Sequence, residues 1–278
     1  MKVVVLGCGG SAGVPMVGGE DGGGDWGDCD PTEPRNRRTR SSILLQMDNG
    51  EAVLIDTGPD LRAQLLAQRI SRFQSIIYTH GHSDHVDGIN EVRAVNRVIG
   101  QPIKAYGTAE VLAEIEQRFS FVFKPWKPPG FFRAVLEAHP FETGQETAIG
   151  SYAFTFIEQQ HGYAGSSGVR CGNFAYSTDV VELSEQSLNV LEGVDTWIVD
   201  CFQLTPHVAH AWLERVMEWR ERIKPRRTIL THMGVAMDWA SLCAILPDGV
   251  EPAYDGLSIH LPDPPRATAP CVSTEAVT

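Results

Sequence analysis

Eight short runs rich in β-branched residues punctuate the chain: "KVVVLG" (2–7), "SILLQM" (42–47), "AVLID" (52–56), "SIIYT" (75–79), "YAFTFIE" (152–158), "NFAYSTD" (173–179), "TWIVD" (196–200) and "RTILT" (227–231). Each is too short for a stable helix and reads as a strand. "DNG" at 48–50, between the second and third runs, signals a hairpin. Helical spacing falls between other runs, over 60–70 with an Asp cap, over 85–100, and over 210–225. Hairpins combined with strand–helix alternation predict a layered α/β fold with mixed sheets. No break in composition divides the chain, so residues 1–261 read as a single domain. Residues 16–40 form an irregular Gly/Asp/Arg-rich insertion, and 262–278 a loose Pro/Ala/Thr-rich tail.

A length of 278 residues suffices for a sizeable core. No stretch approaches the roughly 20 apolar residues of a membrane span, so no membrane partner is expected. "MKVVVLGCGG" is too short for a signal-peptide core, and the six cysteines are scattered without a C-x-x-C pair. A cytoplasmic protein with free thiols is the expectation. The net charge of −12 disfavours a surface for extended nucleic acid, which would have to neutralise phosphates.

Three of the nine histidines crowd into "THGHSDHVDG" (79–88). His80, His82 and His85 with Asp84 read as H-x-H-x-D-H on a turn between a strand and a helix. A catalytic metal usually takes only three protein ligands, so four this close suit two ions better. Such ions sit about 3.5–4 Å apart and share a bridging water or hydroxide as nucleophile. Further ligands stand at strand ends: His161, Asp179 and His232. The expected allocation gives His80, His82 and His161 to one ion, and Asp84, His85 and His232 to the other. Asp179 bridges them. Imidazole-rich ligation suits zinc, while the carboxylates also suit manganese.

With these residues the chain resembles the metallo-β-lactamase-fold hydrolases. "THGHSDH" has the family's metal motif, and His161, Asp179 and His232 follow in the expected order. The resemblance covers nearly the whole chain. It implies a four-layer αββα sandwich of two mixed β-sheets flanked by helices, with the site at one edge of the sheets. Within the family the chain is similar to phosphoribosyl cyclic phosphate phosphodiesterase and its relatives, through "GCGGSAGVP" (7–15), "PRNRRTRSS" (34–42), "DTGPDLR" (56–62), "VDC" (199–201), "LTHMG" (230–234) and "YDG" (254–256). His210, 22 residues before His232, matches a histidine near the scissile phosphate. The resemblance implies Asp84 and His210 as the catalytic residues, His210 as general acid or phosphoryl donor. It is compatible with a homodimer. Relatives often carry a cysteine cluster between 16 and 40 that holds a structural zinc; here only Cys29 is present, so none is expected.

Other signals carry less weight. "GCGGSA" matches the dinucleotide fingerprint in form, but "GVP" follows it where a helix should open. Its amides could instead line a phosphate pocket. The arginines at 35, 37, 38 and 40 suit phosphate oxygens, although a run of charge is more often a solvated loop. Arg35, Arg38 and Ser41, with His210, are the expected substrate contacts. Asp56 is expected to orient a ligand histidine, and His207 and Asp255 are weaker candidates for supporting roles, with Asp238 behind them. His139 and His260 lack partners, and Cys201 reads as core.

The function that combines these readings is hydrolysis of a small phosphate ester, a cyclic phosphate or nucleotide-like diester. A tRNA 3′-processing endonuclease would need a basic surface. A β-lactamase would show a signal peptide, and a glutathione thioesterase a helical C-terminal part. A non-catalytic binding or carrier member would be expected to lose ligands, whereas all seven are present.

Overall fold

A computed structural model describes residues 1–267. Two seven-stranded mixed sheets stack face to face with helices outside each, an αββα sandwich. The first contains β1 (Lys2–Gly7), β2 (Ser42–Gln46), β3 (Ala52–Ile55), β4 (Ser75–Ile77), β5 (Ile103–Gly107), β6 (Leu136–Pro140) and β14 (Ser258–His260), ordered β14-β1-β2-β3-β4-β5-β6. The second contains β7 (Glu146–Ile149), β8 (Tyr152–His161), β9 (Ala164–Cys171), β10 (Phe174–Ser177), β11 (Thr196–Asp200), β12 (Arg227–Thr231) and β13 (Val250–Pro252), ordered β13-β12-β11-β10-β9-β8-β7.

The apolar runs are continuous because their strands are buried on both faces. Val3, Val5, Ile43, Leu45, Val53 and Ile55 point into the core between the sheets. Their neighbours Val4, Leu6, Leu44 and Leu54 pack on the other face with residues of the outer helices. Those helices are α1 (Leu61–Ala67), α2 (Ser83–Val86), α3 (Val92–Ile99) and α4 (Ala109–Arg118). On the second sheet lie α5 (Glu185–Leu191), α6 (Leu213–Ile223) and α7 (Trp239–Ile245), with Trp219 beside Trp197 at 6.3 Å between ring centroids. None of the described helices is long and apolar enough to cross a membrane.

The hairpin at "DNG" joins β2 to β3 in antiparallel register. Residues 85–100 differ from the single helix expected. The segment breaks into the end of α2, a 3-10 turn at Ile89–Glu91, and α3. Gly88 is the cause: a Cβ there would lie 2.0 Å from the Gly58 carbonyl oxygen, so the backbone must pass close at that point. Asp60 precedes α1 as expected, but its carboxylate turns away from the helix amides and accepts from the Arg40 amide at 2.9 Å. Residues 263 and 267, within the segment expected to be loose, are tied to the body of the fold. Asp263 pairs with the Met1 ammonium at 2.6 Å and accepts from the Tyr152 hydroxyl at 2.6 Å, and the Ala267 amide donates to Ser151. The rest of that segment lies outside the described residues.

Candidate metal centre

Parallel strands present their carboxyl ends along one edge of a sandwich, and the site is assembled there. Asp56 follows β3, His80 follows β4, Asp179 follows β10, Asp200 ends β11 and His232 follows β12. Asp56, Asp179 and His232 have positive φ, at 63°, 52° and 55°. Left-handed backbone is disfavoured for residues with a Cβ and recurs where a site dictates side-chain direction. Here the sharp turn at each strand end is what lets the side chain join the cluster.

The structure gathers the seven expected ligands into two groups, each with its ligand atoms within 4.8 Å of one another: His80, His82, His161 and Asp179, then Asp84, His85, Asp179 and His232. Asp179 belongs to both and divides its oxygens between them. Its Oδ1 lies 3.5 Å from His161 Nε2 and 3.8 Å from His80 Nε2. Its Oδ2 lies 3.0 Å from His85 Nε2 and 3.4 Å from His232 Nε2. Asp84 Oδ2 adds contacts of 3.2 Å to His85 and 3.5 Å to His232.

Burial and mutual charge set the protonation of the cluster. Burial alone would push the Asp179 and Asp84 carboxyls up; the neighbouring imidazoles overcome it and hold both well below the usual range. Burial pushes His80 and His161 down, toward the neutral form that can donate a lone pair. For His232 burial is outweighed by Asp179, Asp84 and Asp200, which raise it to about 9.

The donor set fits divalent cations. Nε2 of His80, His85 and His232 is buried with no hydrogen-bond partner among the described residues, an arrangement that buried nitrogens seldom tolerate without a ligand. Outer contacts hold the rings in place. Asp56 Oδ2 lies 2.7 Å from His85 Nδ1, and the same carboxylate accepts from the Thr79 amide and hydroxyl at 2.9 and 2.8 Å. Ala209 O lies 2.7 Å from His161 Nδ1. Stripping divalent cations with a chelator is expected to lower the thermal midpoint. One ion at 100 times its Kd contributes about 2.7 kcal/mol to stability. Calorimetric scans with and without chelator check this; coincident transitions would show that no ion is held.

Beside this cluster stands a pair that sequence reasoning only half identified. His210 Nδ1 lies 2.8 Å from Asp200 Oδ2, and the fully buried Asp200 also accepts from the Val180 amide at 3.0 Å. The His210 ring is 4.7 Å from both His161 and His232, centroid to centroid. With Nδ1 committed to Asp200, Nε2 is the nitrogen available to a substrate. Asp200 was absent from the expected site. Its signal was the one that marked Asp56 and Asp179: an aspartate closing a buried strand. His207 lies beneath the pair, its Nδ1 accepting from the His210 amide at 3.2 Å.

Three expected substrate contacts are directed elsewhere. Arg35 is closed by Glu33, at 2.6 Å, and lies over the Trp239 ring. Arg38 is buried and donates to the carbonyls of Met237 and Gly234 and to Asn36. Ser41 is buried and donates to Gly9 O. Protein acceptors take up Nε and Nη2 of Arg35, Nη1 and Nη2 of Arg38 and the Ser41 hydroxyl. His139 stacks on Tyr106, and Cys201 is core.

Asp255 and Asp238 also lie apart from the ligand histidines. Asp238 caps α7 and receives Asn36. Asp255 accepts from the Cys8 and Thr39 amides and the Thr39 hydroxyl, tying β1 to the arginine-rich loop. Burial raises its carboxyl from 3.8 to about 6 despite those donors. A carboxyl raised on folding stabilises most below its unfolded value, and that contribution fades as pH rises from about 4 to about 6. Asp255→Asn is therefore expected to gain on the wild type by up to about 3 kcal/mol between pH 4 and 7. Urea midpoints at the two pH values measure this, and parallel changes in both proteins would refute it.

A pocket of about 430 Å³ opens beside His82 and His161, lined also by Tyr163, Val208 and Ala209. Its volume suits a small molecule.

Comparison with known proteins agrees with this architecture. Residues 51–233 match the model of the beta-lactamase superfamily domain. An octanoyltransferase of Porphyromonas gingivalis is 26% identical over 259 residues, 92% of this chain but 51% of that protein, so the chain spans about half the length of that curated relative. A crystal structure of a new diphosphatase from the PhnP family superposes with a TM-score of 0.84 at 29% identity, covering 95% of this chain and 98% of that one. Zinc-bound PqqB from Methylobacterium extorquens gives 0.75 at 19% identity, covering 94% and 100%. The matched stretch runs from the start of β3 through every expected ligand to Met233, so the chain belongs to the beta-lactamase superfamily, with the metallo-β-lactamase fold.

Proposed function

We propose that this chain is a phosphodiesterase working with two divalent ions, zinc or manganese, on a small phosphorylated substrate. The observation that carries the reading is the Asp200–His210 pair beside the ligand cluster, with His210 Nδ1 3.9 Å from Asp179 Oδ1. Asp179, with one oxygen toward each group, is placed to hold two ions close together. Two ions held there would supply a lowered pKa for water and neutralise charge developing on phosphoryl oxygens.

The remaining work falls to the chain's own residues. His210, oriented by Asp200 through Nδ1, holds a proton at Nε2 for the departing oxygen. Asp56 keeps His85 in the tautomer that leaves Nε2 free to ligate. The pocket beside His82 and His161 receives the part of the substrate that does not react. The likeness to the PhnP-family diphosphatase, over nearly all of both chains, supports phosphorus rather than an acyl carbon as the centre attacked.

The test is hydrolysis of bis(p-nitrophenyl) phosphate by protein loaded with Mn²⁺ or Zn²⁺, beside a thioester substrate. Metal-dependent release of nitrophenol supports the reading. Two ions bound per chain with thioester cleavage and no diester cleavage would overturn it.

A further inference from the structure

One buried stretch beside the metal centre is small and polar rather than apolar. Strand β9, "AGSSGVRC", lies between β8 and β10 and buries Ser166 and Ser167. Opposite Ser166 stands Gln159 of β8, also buried and on the same strand face as His161. Burying a glutamine costs free energy unless its amide is bonded, so the bonds it makes show what it is for.

Those bonds lead to Asp179. Gln159 Nε2 donates to Thr178 O at 2.9 Å and to Ser166 Oγ at 2.9 Å. Ser166 Oγ in turn donates to Asp179 O at 2.7 Å. The direction of this chain is fixed, because the Thr178 carbonyl can only accept and must face the amide nitrogen. The other amide hydrogen then meets Ser166 Oγ, whose own proton is left for Asp179. On the far side of the turn the Val180 amide donates to Asp200 Oδ2 at 3.0 Å, and the Val181 amide to Gln160 O at 2.8 Å. The main chain is thus bound on both sides of a residue whose φ is 52°. Gly168 makes room for this, since a side chain there would overlap the Gln159 amide oxygen. The Ser167 amide donates to Thr79 O at 2.9 Å, so the same pair of serines also touches the residue before His80.

We infer that Gln159 and Ser166 are positioning residues for the metal centre, holding the main chain of Asp179 in the left-handed turn that aims its carboxylate at both ligand groups. Such backbone is disfavoured for a residue with a Cβ, and these bonds offset the cost. Without them the turn relaxes and Oδ1 and Oδ2 leave their groups. The inference rests on the two-ion part of the reading above and is independent of the substrate.

Competition against a chromogenic chelator measures Zn²⁺ affinity without reference to turnover. Ser166→Ala and Gln159→Leu are each expected to weaken it by about ten- to a hundredfold, the range for residues that orient a ligand. The double variant should bind little more weakly than either single one, because the two side chains act in series. Ser166→Thr, which keeps the hydroxyl, should recover most of the loss. A contact that served stability alone would lower the melting midpoint of the metal-free protein and leave Zn²⁺ affinity intact. That outcome, in either variant that melts cooperatively, overturns the inference, while wild-type protein holding two ions keeps the two-ion reading. Wild-type protein that takes up no Zn²⁺ would sink both.

Discussion

Asp179→Ala is expected to lower kcat on a diester by about a thousandfold or more, a loss of roughly 4 kcal/mol of transition-state stabilisation. The size follows from geometry. Asp179 is 1% exposed and its two oxygens face different ligand groups, so one substitution removes an anionic ligand from both. It also leaves His85 and His232 facing each other, 5.8 Å apart between ring centroids, without the carboxylate between them. Metal content should fall together with turnover, which elemental analysis of the purified variant reads directly. Asp179→Asn keeps the shape but exchanges one acceptor oxygen for a donor, and should lose nearly as much. A variant that retained two ions and wild-type turnover would remove Asp179 from the centre.

The second large effect concerns proton transfer. His210→Ala is expected to cost about 10²–10³-fold on a diester with a poorly departing alkoxide, within the usual range for a general acid. On a nitrophenyl ester, whose leaving group departs readily as an anion, the cost should be much smaller. This dependence on leaving group separates a proton donor from a residue that only shapes the pocket. Asp200→Asn should produce a milder version of the same pattern, because the amide can still contact Nδ1 but orients the ring less firmly than a carboxylate. The double variant should be little worse than His210→Ala alone, as Asp200 acts through His210. Equal losses on both esters would remove His210 from proton transfer and leave it a binding role.

Much of the molecule is legible without coordinates, for reasons that are local. "SILLQM", "DNG" and "AVLID" encode a hairpin, because alternate side chains and turn conformation are set by neighbours in the chain. Strand β9, "AGSSGVRC", carries no such signal, since glycine and serine have little strand preference. It forms because β8 pairs with it from His161↔Ala164 to Thr155↔Arg170. Arg35, Arg38 and Ser41 show the opposite failure. Their chemistry suits phosphate, but residue type does not reveal which acceptors lie nearby: the Glu33 carboxylate for Arg35, the carbonyls of Gly234 and Met237 for Arg38, and that of Gly9 for Ser41.

By itself the sequence determined the class of fold and the inventory of ligands. Buried strands demand apolar runs, and successive spacings of two, two and one residues from His80 to His85 pack metal donors into one turn. The direction of each donor belongs to the tertiary structure. The left-handed turns at Asp56, Asp179 and His232, the division of Asp179 between two groups and the pairing of Asp200 with His210 all arise where strands distant in sequence end along one edge. Contacts of that kind depend on how two sheets stack, and no local run of residues encodes that.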